Sequence, residues 1–172
     1  MGPTPTLPRP ERALIPQVEI APARHWPPGA KPTSAPGTVV TAFATGLDHP
    51  RWLHVLPNGD VLVAETNAPP RPDDAKGIKG WFFKRFQKKA GGAVPSANRI
   101  TLLRDADGDG VAETRSVLLE DLNSPFGMAL AGDHLYVANT DAVVRFPYRR
   151  GDMRITAPAA YGKRTTASVF AT

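Results

Sequence analysis

From Val39 onward, apolar residues recur at short alternating spacings, broken by turn-forming residues. Alternation with a period of two places one side of an extended segment in a core and the other in solvent. The pattern predicts strands over residues 39–44, 51–55 and 61–64. Between the last two, Pro57-Asn58-Gly59-Asp60 is a strong hairpin turn. A second set of strands is predicted at 99–104, 115–119, 127–130, 135–138 and 142–146. Turns are expected at 105–110 and at Gly132-Asp133. Many short strands with frequent turns predict an all-β domain.

One stretch breaks this rhythm. In residues 77–90, Ile78, Trp81, Phe82 and Phe86 recur at helical spacing, and Lys79, Lys84, Arg85, Lys88 and Lys89 fill the other positions. The expectation is a basic amphipathic helix within an insertion at 68–97. Such a helix packs its aromatics on the domain or, alternatively, makes peripheral contact with anionic lipid.

Two segments of the chain look alike. Gly46-Leu47-Asp48-His49-Pro50-Arg51-Trp52-Leu53 matches Asp121-Leu122-Asn123-Ser124-Pro125-Phe126-Gly127-Met128. A turn and a second strand follow each, ending Val63-Ala64-Glu65-Thr66 in one copy and Val137-Ala138-Asn139-Thr140 in the other. The two prolines are 75 residues apart. Setting aside the insertion of about 30 residues leaves a period of roughly 45, the size of one four-stranded propeller blade. The fold expected is therefore a β-propeller with two blades present. Propellers commonly have about four to eight blades, so the chain is expected to be part of a larger protein or to assemble with copies of itself. His49, Arg51, Asn123 and Ser124 would then face the mouth of a central channel. Glu65 and Asn139 end equivalent strands and either line that channel or close strand-end hydrogen bonds.

Composition sharpens this outline. The chain has 172 residues with 19 Pro, and ten of those prolines precede residue 37. Proline lacks an amide donor and fixes φ, so residues 1–36 read as an extended arm. The expected organisation is this arm, a partial propeller over 37–158 and a tail over 159–172. The arm has no basic start and no apolar run, so no signal peptide is read in it. There is no cysteine, which removes disulfide, thiolate-metal and cysteine-nucleophile chemistry. The net charge of +5 invites a nucleic-acid reading. The cations are scattered through arm, helix and tail with no nucleic-acid-binding motif, so no nucleic-acid partner is expected. Phosphate-loop, dinucleotide, zinc-protease and nucleophile-elbow motifs are missing from the sequence as well.

The sharpest local motif is Asp105-Ala106-Asp107-Gly108-Asp109-Gly110. Alternating carboxylates with Gly at the sixth position match the start of a calcium loop. The bidentate Glu expected at the twelfth position is Ser116, and Glu113 falls at the ninth. Two readings stand: a polar turn between strands, or a weak calcium site with Asp105, Asp107 and Asp109 as ligands.

The segments GLDHPRWLHVLPNGDVLVAETN (46–67), APPRPDDAKGIKG (68–80) and PSANRITLLRDADGDGVAET (95–114) together resemble the soluble sorbosone dehydrogenase family. That family belongs with the glucose/sorbosone dehydrogenases that use pyrroloquinoline quinone (PQQ). The resemblance runs from the arm near Leu14 to about Pro158. It implies a six-bladed all-β propeller in the periplasm with PQQ over its channel, oxidising a sugar or sugar aldehyde. In such a site a His removes the substrate proton and cationic side chains hold the cofactor carboxylates. None of His25, His49, His54 and His134 sits in the family's catalytic motif, which lies downstream of the matched region. Arg51, on the expected innermost strand, is the candidate for a cofactor carboxylate. Asn123 is the nearest counterpart of the family's inner-turn glutamine. The tail no longer resembles the family, so a truncated or frameshifted product, inactive alone, is expected. Two alternatives are a gluconolactonase-type propeller hydrolase and a non-catalytic binding propeller.

Overall fold

A computed structural model describes residues 21–22, 24, 27, 29–68, 81, 85–86, 89 and 95–161. Within these the chain forms two four-stranded antiparallel sheets, each in simple sequential order. The first, sheet A, contains β1 (Pro50–Val55), β2 (Val61–Glu65), β3 (Arg99–Arg104) and β4 (Thr114–Leu119). Sheet B contains β5 (Met128–Ala131), β6 (His134–Ala138), β7 (Val143–Pro147) and β8 (Ala160–Tyr161). Seven of these strands fall where the alternation predicts them, with ends shifted by one residue at most.

Two elements differ from expectation. Residues 39–44 are not a strand. Val39 is 89% exposed, and the Phe43 carbonyl accepts from the Ala112 N–H at 2.8 Å without extending into a ladder. Alternation alone does not supply a pairing partner, and without a partner the segment stays irregular. Conversely β8 carries no pattern, being two exposed residues, and exists because Val144 and Arg145 pair with Tyr161 and Ala160. The arm's first 20 residues and most of the 68–97 insertion lie outside the described residues. So does most of the expected helix. Among the described residues no helical element is delineated, although Trp81, Arg85, Phe86 and Lys89 each have helical backbone. No helix of the described residues is long and apolar enough to cross a membrane.

One core joins the sheets. Leu62, Ala64, Ile100 and Leu102 of sheet A pack with Leu135, Val137, Val144 and Phe146 of sheet B. Met128 and Leu130 pack against the same cluster from β5. Each buried Leu or Val contributes about 1.5–3 kcal/mol relative to exposure. Backbone ties fix the junction: the Leu122 N–H donates to the Asn98 carbonyl at 2.9 Å, and the Ile155 N–H to the Leu118 carbonyl at 2.9 Å.

The internal repeat is visible in register and in backbone geometry. Leu53 pairs with Val63 and Val55 with Val61 in sheet A. Their counterparts Met128 and Leu130 pair with Val137 and Leu135 in sheet B. Four residues before each proline the chain is left-handed, at Gly46 (φ 67°) and Asp121 (φ 57°). The residue immediately before each proline is left-handed too, at His49 (φ 50°) and Ser124 (φ 46°). Such φ values are uncommon for non-glycine residues and cost of order 1–3 kcal/mol each. Their recurrence at matching positions ties the sequence repeat to a repeated chain path.

Because the two sheets share one core, damage to one is felt by both. Leu135→Ala in sheet B is expected to lower stability by about 2–5 kcal/mol. Urea unfolding followed by the fluorescence of Trp52 of sheet A, with Trp26 and Trp81 replaced by Phe, should show the loss in a single shifted transition.

Candidate functional site

The turns and strand ends of sheet A carry most of the polar chemistry. Glu65, at the end of β2, is wholly buried. It lies directly across from Arg99 on β3. The Arg99 guanidinium donates to both carboxylate oxygens, Nε to Oε1 at 3.0 Å and Nη2 to Oε2 at 2.9 Å. The Thr101 hydroxyl and the Asp48 N–H also donate to this carboxylate. Arg115 stands 3.7 Å away, and Arg99 donates a further bond to Asp48 at 2.8 Å. Burial pushes the Glu65 carboxyl up, but the bonds from Arg99, Thr101 and the Asp48 N–H outweigh it and hold it below the ordinary value of 4.5. The group is therefore a fixed anion that pins the β1 entry loop to the sheet. No free lone-pair geometry is left to make it a general base.

A second clamp sits at the opposite end of sheet A. Asp60, buried in the β1–β2 turn, accepts from Arg104 Nε at 2.6 Å and Nη2 at 2.7 Å, and from Asn58 at 2.7 Å. The Arg104 bonds hold its carboxyl below 3.8 against the upward push of burial. Gly59 in this turn has φ 90°, which a side chain would strain.

The residues expected at a channel mouth separate into two groups. Arg51 and Asn123 are exposed at the starts of neighbouring chain paths. The two paths meet where the Trp52 and Phe126 rings approach to 5.3 Å. His49 is half-buried. Ser124 is buried instead of facing an opening. Its hydroxyl donates to the Asn67 carbonyl at 3.0 Å and its N–H to Asn98 Oδ1 at 3.2 Å. Glu65 and Asn139, the two strand-end residues, have diverged: Asn139 faces Ala142 where Glu65 faces Arg99, and its N–H bonds the Ala142 carbonyl at 2.9 Å. A cavity of about 410 Å³ lies between the sheets, lined by Asn139, Phe146, Arg154 and Tyr161 among others. Neither Arg51 nor Asn123 reaches it.

The acidic turn is the other gathering of ligand-type groups. Carboxylate oxygens of Asp105, Asp107, Asp109 and Glu113 all lie within 4.8 Å of one another. The backbone shapes this cluster. Asp105 accepts from the Gly110 N–H at 2.9 Å and the Gly108 N–H at 2.7 Å. Glu113 accepts from the Ala106 N–H at 2.8 Å. The Gly110 bond and its neighbours hold the Asp105 carboxyl below its ordinary range. Glu113 at the ninth position thus joins the three aspartates.

The Glu65–Arg99 pair is a contact that alternation and motif spacing did not reveal. The available signal was a lone carboxylate ending an apolar strand, with an Arg opening the next strand of the same meander. No family model, curated protein or solved structure matches the chain.

Both buried carboxyls ionise more readily folded than unfolded. Their stabilisation is present above the ordinary carboxyl values and is lost as pH falls through the lowered folded values. Glu65→Gln is expected to destabilise the chain by roughly 1–3 kcal/mol at neutral pH, because Arg99 and Thr101 lose a charged acceptor while Asp48 still pairs with Arg99. Urea midpoints measured from pH 7 down to pH 3 should converge for the two proteins as the wild-type carboxylate protonates.

Proposed function

We propose that sheets A and B are consecutive blades of a β-propeller, and that the chain is part of a PQQ-dependent dehydrogenase of sugar aldehydes resembling the sorbosone dehydrogenases. The observation that carries the propeller reading is the shared register and shared left-handed positions of the two meanders. Sequential four-stranded meanders stacked face to face are what blades require. The dehydrogenase reading rests on the resemblance in sequence.

The described residues do not amount to a PQQ site. The cofactor is a polycarboxylate and needs several convergent cations, whereas Arg51 is one exposed guanidinium and Asn123 one exposed amide. No catalytic step is derived through it. The half-buried Arg99 and Arg104 cannot substitute, since each is committed to a carboxylate. What this chain contributes is a scaffold: two rigid strand entries, fixed by Glu65 and Ser124, that present Arg51 and Asn123 on one side.

A second reading concerns the acidic turn. Calcium takes oxygen ligands at about 2.3–2.6 Å, so ligands across the ion lie about 5 Å apart. The 4.8 Å clustering of four carboxylates fits that span. Calcium there would neutralise the turn between β3 and β4 and hold it closed.

The chain is expected to show no dye-linked oxidation of a sugar aldehyde with added PQQ, and no lactone hydrolysis. Fluorescence titration with PQQ should give weak binding, reduced roughly ten-fold by Arg51→Ala, the size of one charge-assisted contact. Lactone hydrolysis, or PQQ affinity indifferent to Arg51, would contradict the reading. Calorimetric titration is expected to give calcium binding with a dissociation constant of about 0.1–1 mM, weakened by Asp107→Asn. No heat at millimolar calcium removes the metal.

A further inference from the structure

The contact between the sheets is directional. Sheet A uses the face bearing Leu62, Ala64, Ile100 and Leu102, all fully buried. Sheet B uses the opposite face of its own repeat, with Met128, Leu130, Leu135 and Val137. Repeat positions therefore reveal what each uncovered face is built to meet. Leu53 and Val55 are the counterparts of Met128 and Leu130, yet each is 62% exposed. On this side Phe43, Thr45 and Gly46 cover only the outer part of sheet A, through bonds to Ala112 and Arg115. The β1 part is left open.

The far side of sheet B shows the complementary gap. Tyr136, Ala138 and Val143 are the counterparts of Leu62, Ala64 and Ile100, which sheet B itself buries on sheet A. Here Val143 is 52% exposed and Tyr136 and Ala138 are only half-buried. Ala129 beside them is exposed. Arg145, at the position of Leu102, is the one charged departure, and its long stem can lie along apolar surface with its head in water. The chain thus displays both halves of an interface it already makes once internally.

We propose that the open β1 face of sheet A, at Leu53 and Val55, docks the outer face of sheet B, at Tyr136 and Val143, of a second copy of this chain. The contact is heterologous, head to tail, and repeats the internal sheet-to-sheet packing. Successive copies extend the stack of sheets until it closes on itself, as a closed assembly of blades leaves no face exposed. The inference stands on the packing of the two sheets and is independent of the cofactor reading, whose failure would leave it intact.

Directionality gives a decisive test. Leu53→Lys blocks one half and Val143→Lys the other, and both sites are solvent-facing, so the fold should survive. Sedimentation equilibrium of the wild-type chain is expected to show mass rising above 18.4 kDa with concentration. Each variant alone should stay monomeric. An equimolar mixture should form a heterodimer and nothing larger, since each variant retains one intact half. Circular dichroism checks folding, and Val55→Lys with Ala129→Lys serves as a second pair if either variant unfolds. A wild-type chain that stays at monomer mass up to about 0.2 mM overturns the proposal, because even a weak interface would associate there. Variants that associate like wild type, or a folded mixture that stays monomeric, overturn it as well.

Discussion

The structure depends on one asymmetric contact, the burial of one face of sheet A against the opposite face of sheet B. A sheet with apolar residues on both faces cannot be satisfied by a single neighbour. Leu62, Val63, Ile100 and Leu103 are all buried although they point to alternate sides of sheet A. One side is covered by sheet B and the other partly by residues 43–46. This two-sided demand sets the stacking direction, the path of the chain between sheets and the faces that remain open.

Polar groups at the strand ends hold the stack in register. In sheet A the work falls to Glu65 with Arg99 and to Asp60 with Arg104, one ion pair at each end. Sheet B has the same backbone path with neither pair. Asn139 and Ala142 occupy the positions of Glu65 and Arg99. The repeat preserved the apolar core and the left-handed entry residues, while the buried charges are confined to one copy. A buried ion pair is weak evidence for net stability, because desolvation opposes the attraction. Its value here is positional: the Glu65 carboxylate gathers β2, β3 and the entry loop at a single point.

Much of this was legible in the chain itself. Strands β1 to β7 follow alternation and turn residues, and the repeat of Leu-x-x-Pro followed by a strand marks equivalent chain paths. Residues 39–44 alternate as well, but alternation reports only which side would be buried, not whether a partner strand exists. Strand β8 lacks any pattern because Ala160 and Tyr161 are recruited by the free edge of β7. Site residues were legible in part. The aspartates of the turn form a local cluster that spacing can reveal, and Glu113 joins them because the turn folds back. Ser124 reads as a mouth residue because it lies in the loop leading into a strand expected to be innermost. Its left-handed backbone instead turns the hydroxyl inward to the Asn67 carbonyl. The Glu65–Arg99 pair spans 34 residues and an insertion, so it becomes visible only once strand register is known.

Two equivalent sheets stand or fall together through one directional core. Native-state hydrogen exchange at increasing sub-denaturing urea tests this most directly. Amides of β2, β3, β6 and β7 are expected to exchange through a single opening with a common free energy. Amides of β6 and β7 exchanging through a separate, lower-energy opening while β2 and β3 stay protected would contradict it.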